Sequence, residues 1–171
     1  MKTFTTKKLV LTALFMALTT VATMFIRINL PLGYVNLGDV FVFLSVFILG
    51  PVLGTIAGGV GSAIADLIGF ITYAPGTLII KCAMALVAYL IYKVILKITD
   101  KSLVAYIIGG IAGALVMALG YLVYEILFFT TFAVALYNLP WNILQGAVGV
   151  AVSTIILKIL STTKVLEKLQ K

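Results

Sequence analysis

Residues 39–70 read DVFVFLSVFILGPVLGTIAGGVGSAIADLIGF. Two apolar runs meet there and break at Gly50-Pro51. The first, about Asp39 to Leu49, is short, which suits a tilted span or one extended by its flanking loop. The second, about Val52 to Phe70, has the length of a membrane-crossing helix and is rich in glycine and alanine. Asp39 opens the first run and Asp66 lies toward the end of the second. Two carboxylates therefore fall where hydrocarbon is expected.

The rest of the chain follows the same pattern. Its 171 residues are 63% hydrophobic and 10% charged, with a mean hydropathy of +1.26. A soluble domain averages about 25% charged residues. A soluble fold of this size could not cover so much apolar surface with so few polar groups. The composition therefore predicts an integral membrane protein, folded as one domain over residues 1–171. Beyond the two central runs, further apolar segments lie at about Leu9 to Ile28, Thr77 to Ile98, Leu103 to Phe129 and Pro140 to Leu160. The expectation is an all-α bundle of six transmembrane helices. The lysine-bearing N-terminus resembles a signal peptide, but its apolar run is long and lacks a small-x-small cleavage site before Arg27, so it reads as a retained first span.

Six spans put both termini on one side. Lys2, Lys7 and Lys8 precede the first span, Lys93, Lys97 and Lys101 surround the fourth-to-fifth connection, and Lys158, Lys164, Lys168 and Lys171 close the chain. Ten of the twelve basic residues thus share one face. The positive-inside bias makes that face, and both termini, cytoplasmic, as for a multi-pass protein of a cell membrane. The outer connections are then about Asn29 to Gly38, Ile71 to Gly76 and Thr130 to Leu139, and carry Pro31, Tyr34, Asn36, Tyr73 and Tyr137. The lysines form no basic stripe with interleaved aromatics, so the net charge of +7 does not point to nucleic acid. There is no histidine and a single cysteine, Cys82, which excludes an internal disulfide and leaves no metal signal. No Walker A, Gly-x-Ser-x-Gly or Cys-x-x-Cys pattern occurs, and no enzyme or cofactor is expected.

A charge inside a span costs several kcal/mol unless it is paired or solvated. Arg27, Asp39, Asp66, Lys81 and Glu125 all fall toward the outer face in this threading. Arg27 is able to snorkel to the headgroups, and Asp39 to serve as a helix N-cap. Lys81 has Glu125 and Asp66 as candidate structural partners, but a bare buried bridge is weak support for stability. A hydrated pocket satisfies the same groups. Tyr121 lies one turn from Glu125, and Asn142 and Gln145 are three apart, with Trp141 beside them. Together they describe walls for a small, flat, polar ligand. The Ala13/Ala17 pair and the glycines at 50, 54, 58, 109 and 113 form small-xxx-small faces that let helices approach closely, inside the bundle or against a partner.

The block Asn36-Leu-Gly-Asp39-Val-Phe-Val-Phe43, followed by Gly50-Pro51-Val-Leu-Gly54, Ala65-Asp66-Leu and Tyr73-Ala-Pro-Gly-Thr77-Leu-Ile-Ile-Lys81, resembles the substrate-binding S components of energy-coupling factor (ECF) vitamin transporters. Length, six spans, inward termini and Ala13-x-x-x-Ala17 extend the resemblance along most of the chain. It implies a non-catalytic, prokaryotic subunit that captures a vitamin or precursor at the extracellular side. Such a subunit joins a transmembrane coupling protein and two cytoplasmic ATPases, and topples in the membrane to release its cargo. Ala13 and Ala17 would then face the coupling protein. The closest likeness is to members handling hydroxymethylpyrimidine or pyridoxine, with riboflavin or another vitamin as alternatives. The first outer loop and the last three helices supply the site in this family, which adds Asn36, Tyr73 and Lys81 to Tyr121, Glu125, Trp141, Asn142 and Gln145. Asp39 and Asp66 stand as structural or substrate-binding. Two other readings compete: a multi-span scaffold subunit of a cell-envelope assembly, and a self-sufficient proton-coupled transporter using Glu125 or Asp66.

Overall fold

The computed structural model describes residues 5–30, 33–163 and 165–170, without the side chains of Glu167, Lys168 and Gln170. Lys2, Pro31, Lys164 and Lys171 lie outside the described residues, as does the side chain of Lys168. Six helices carry the fold: α1 (Thr6–Phe25), α2 (Gly38–Leu49), α3 (Pro51–Gly69), α4 (Ala74–Thr99), α5 (Ser102–Phe128) and α6 (Phe132–Thr162). A short α7 (Val165–Gln170) follows. Among the described residues, the one departure from helical elements and their short connections is a small antiparallel hairpin between α1 and α2. Its strands β1 (Arg27–Asn29) and β2 (Tyr34–Asn36) pair Arg27 with Asn36 and Asn29 with Tyr34.

Five of the helices, all but α2 and α7, are long and apolar enough to cross a membrane. Helix α2 has 12 residues, about 18 Å at 1.5 Å per residue, short of the ~30 Å hydrocarbon layer. It does not need that length. Every residue of α2 except Phe41 is buried, enclosed by α1, α3, α4 and α6. The remaining helices follow one another around it, with α1 against α3, α3 against α4, α4 against α5 and α5 against α6. Their outward faces carry exposed Ile79, Leu90, Leu119 and Ile155, as a lipid-facing surface requires.

Small residues set the tightest approaches. Gly50 has φ +86°, a left-handed conformation that glycine adopts without penalty, and it turns the chain from α2 into Pro51 at the start of α3. One turn later, a Cβ on Gly54 would lie 2.6 Å from the Ser45 carbonyl oxygen, so the α2 and α3 backbones are in direct contact. Ser45 Oγ seals the junction by donating to the Gly54 carbonyl at 2.9 Å. Phe43, Phe47, Met84, Met117 and Leu157 fill the centre.

Helix α6 departs from expectation. It starts at Phe132 and carries Pro140 inside it, whereas the proline was expected to open the helix after a loop over Thr130 to Leu139. The residues before Pro140, Phe132 to Leu139, are mostly apolar and compatible with a helix, and one missing N–H leaves only one carbonyl to satisfy. The connection from α5 shrinks to a few residues, and Asn138 becomes helical.

Candidate functional site

The hairpin end of the bundle holds a polar pocket. Successive β2 residues alternate sides, so Tyr34 and Asn36 both point down into the bundle, and each is tied to a carboxylate. The Tyr34 hydroxyl donates to Asp66 Oδ1 from above, and Thr77 Oγ1 donates to Asp66 Oδ2 from α4. Thr77 has a single proton, so the Tyr121 hydroxyl, 2.9 Å away, donates to it in turn. Lys81, one turn further along α4, pairs with Asp39 and lies 5.5 Å from the Tyr121 ring centroid. Gln145 Nε2 donates to the other Asp39 oxygen at 2.7 Å, and its Oε1 accepts from Asn36 N at 2.8 Å and Asn36 Nδ2 at 3.3 Å. The network runs from the hairpin through both carboxylates and back to the hairpin.

Glu125 closes the pocket on the α5 side. Asn138 Nδ2 lies 3.4 Å from each of its oxygens, and the Tyr73 hydroxyl donates to Oε1 at 3.5 Å. Asp39, Asp66, Lys81 and Glu125 are each at most 3% exposed. The free space between the lining side chains is about 30 Å³, room for one or two water molecules. Two lining hydroxyls, Thr23 Oγ1 and Ser62 Oγ, are buried without a hydrogen-bond partner. Outside the spans, burial and the nearby Asp66 carboxylate push the Tyr34 phenol up. Burial and Glu125 do the same to Tyr73. Both therefore stay protonated donors at neutral pH.

Most of the expected site residues meet here. Asn36, Tyr73, Lys81, Tyr121, Glu125, Asn142 and Gln145 all line the pocket. Trp141 does not. With α6 continuous through Pro140, Asn138, Asn142 and Gln145 share its inward face, and Trp141 is rotated onto an adjoining outer crevice with Phe25, Leu37 and Leu144. The partner of Lys81 also differs from expectation. Neither Glu125 nor Asp66 pairs with it; Asp39 does, because α2 is enclosed by the bundle and brings its first turn against α4. Asp39 gives its N-terminal turn a negative charge but makes no side-chain cap. Arg27 is exposed, 5.3 Å from the ring centroids of both Tyr34 and Phe70, outside the pocket. Tyr34, Thr77, Asn138, Thr23 and Ser62 were missed. Thr77 and Ser62 each stand one turn before a charge already singled out, Lys81 and Asp66, and that spacing was the available signal.

Residues 3–162 match the family model described as ECF-type riboflavin transporter, S component. The chain belongs to this S component family. A relative from Pyrococcus woesei, described as an uncharacterized protein in gap 3'region, is 40% identical over 107 residues, 60% of this chain and 67% of its own. An S component is a transporter subunit rather than an enzyme, and it works in association with an energy-coupling module. The five long apolar helices agree with a multi-pass membrane protein. The carboxylates and hydroxyls at the hairpin end thus belong to a protein whose family binds and passes on a vitamin.

Proposed function

We propose that the protein is the high-affinity substrate-capture subunit of an ATP-driven vitamin uptake transporter, and that the polar pocket is its substrate site. The observation that carries this reading is the convergence of seven expected site residues on one pocket beneath a hairpin. Buried polar groups of this number are costly to maintain for packing alone. Asn36, Tyr73, Lys81, Tyr121, Glu125, Asn142 and Gln145 contact the substrate, with Asp39 and Asp66 holding Lys81, Tyr34 and Thr77 in place. Trp141 stands one turn from Gln145 in the adjoining crevice and borders the way in.

The protein is a single domain, with α2 as the sixth, enclosed span of the bundle. Lys7, Lys8, Lys93, Lys97, Lys101 and Lys158 cluster at the helix ends opposite the hairpin, so both termini are cytoplasmic and the pocket faces outward across a prokaryotic plasma membrane. Ala13 and Ala17 are exposed on α1, away from its buried Thr12, Phe15 and Thr19 face. That exposure suits docking of the coupling protein of a module with two ATPases. The polar lining, with carboxylate, amide and hydroxyl groups around it, suits a compact, hydroxyl-bearing ring such as hydroxymethylpyrimidine or pyridoxine. Riboflavin is the second reading, favoured by the description of the matching family model. Isothermal titration of the purified protein with a vitamin and precursor panel tests the proposal. Saturable binding of one heteroaromatic compound is expected, and a panel with no binder would end it.

A further inference from the structure

The end of the bundle opposite the hairpin holds a second polar crevice, of about 270 Å³. Its floor is the end of the short α2. The helix stops at Leu49, and Gly50 turns the chain into α3 with open space where a side chain would stand. Lys8 of α1 and Tyr89, Tyr92 and Lys93 of α4 wall the crevice around that turn. Lys8 is half-buried. Lys93 is exposed but held in place, with its ammonium 5.6 Å from the Tyr89 ring centroid and 5.9 Å from that of Tyr92. Tyr92 in turn stacks on Tyr106 at 4.9 Å and packs on Phe47 at 5.2 Å. The aromatic support under Lys93 is therefore part of the core, which fixes where the charge sits.

The crevice is positively charged. No carboxylate lines it, and Asp100, the acidic side chain described at this end, lies in the α4–α5 turn. Among the described residues, neither Lys8 nor Lys93 has an ion-pair partner. The C-terminal end of α2 carries about half a negative charge, which two full ammonium charges outweigh. Depth decides what kind of anion fits. From Ala74 to Lys93, α4 rises about 28 Å at 1.5 Å per residue, close to the ~30 Å hydrocarbon layer. From Lys8 to Phe25, α1 rises about 26 Å. Both ammonium groups therefore stand at the headgroup level of one leaflet, with Ile48 and Leu49 supplying an apolar side to the crevice. We infer that this crevice binds an anionic phospholipid, its phosphate bridging Lys8 and Lys93. A choline headgroup would bring a cation that both lysines repel, and Lys93 already covers the tyrosine faces that would otherwise hold it. The site is separate from the hairpin pocket and does not depend on what that pocket holds.

Native mass spectrometry of the delipidated full chain in detergent, titrated with phosphatidylglycerol or phosphatidylcholine, tests the inference. One phosphatidylglycerol per chain is expected, bound at least about tenfold more tightly than phosphatidylcholine. Lys8→Gln/Lys93→Gln should lower the affinity for phosphatidylglycerol to that for phosphatidylcholine. Lys97→Gln/Lys101→Gln removes the same charge from the same end but outside the crevice, and should change that affinity by no more than about twofold. Equal affinity for the two lipids, or an equal loss in both double variants, would overturn the inference. Displacement of the bound lipid by millimolar glycerol 3-phosphate would assign the crevice to a soluble phosphate, and displacement by a tetraglutamate peptide would assign it to an acidic protein partner. Either result would overturn the lipid assignment. The comparison of the two lipids on the wild-type chain does not depend on how the variants fold.

Discussion

Asp39 and Lys81 form a buried ion pair that joins the first turn of the enclosed α2 to α4. Each partner is at most 3% exposed in its side chain, so neither charge has water to fall back on. Removing one partner strands the other. Lys81→Met is therefore expected to destabilise the bundle by about 3–5 kcal/mol. The double variant Asp39→Asn/Lys81→Met should recover most of that loss while binding stays impaired. Thermal melting in detergent measures the first effect and ligand titration the second.

The hairpin latch makes a prediction about pH. The Tyr34 phenol is held above its ordinary value by burial and by Asp66, so folding favours its protonated form. The stability it contributes is complete below about pH 10, the unperturbed tyrosine value, and is lost as pH rises further. Tyr34→Phe removes the donor to Asp66 and should cost about 1–2 kcal/mol at neutral pH. Melting temperatures from pH 7 to about pH 11 should then converge, with the wild-type curve falling faster than that of the variant.

Ala13 and Ala17 point away from the bundle core. Ala13→Trp and Ala17→Trp are expected to leave ligand affinity within about twofold and to abolish uptake when the chain is reconstituted with its module. Loss of affinity in a folded variant would place these residues in the fold rather than at the partner surface.

Gly54 sits against the Ser45 and Val46 backbone. A side chain there has no soft neighbour to displace, so Gly54→Val should destabilise by at least about 1–3 kcal/mol. The turn at Gly50 has open space around it but a positive φ. Gly50→Ala should accordingly act through backbone strain, about 1 kcal/mol, and not through a clash. Melting of both variants separates the two effects.

The membrane class, the helix order and most of the pocket could be read from the residues, because long apolar runs and charges within them are local signals. Glu125 with Tyr121, and Asn142 with Gln145, share helix faces, and helical spacing brings such pairs together wherever the helix packs. What spacing does not encode is which helix lies opposite. The pairing of Lys81 with Asp39 follows from α2 being enclosed, and a short apolar run does not reveal that by itself. The rotation of Trp141 out of the pocket followed from a helix running through Pro140, where local rules favour a start. Tyr34 and Asn36 act as a pair only because a two-stranded hairpin points both inward, and strands of three residues leave almost no periodic trace.

The most direct test is to identify the small molecule released on denaturing protein purified from its native membrane, by mass spectrometry, alongside a Glu125→Gln/Asn142→Leu variant that leaves the Asp39–Lys81 pair intact. One heteroaromatic compound in stoichiometric amount from the wild-type chain, absent from the folded variant, is the predicted result. No such compound from the wild-type chain, or equal amounts from both, would contradict the assignment of this pocket as the substrate site.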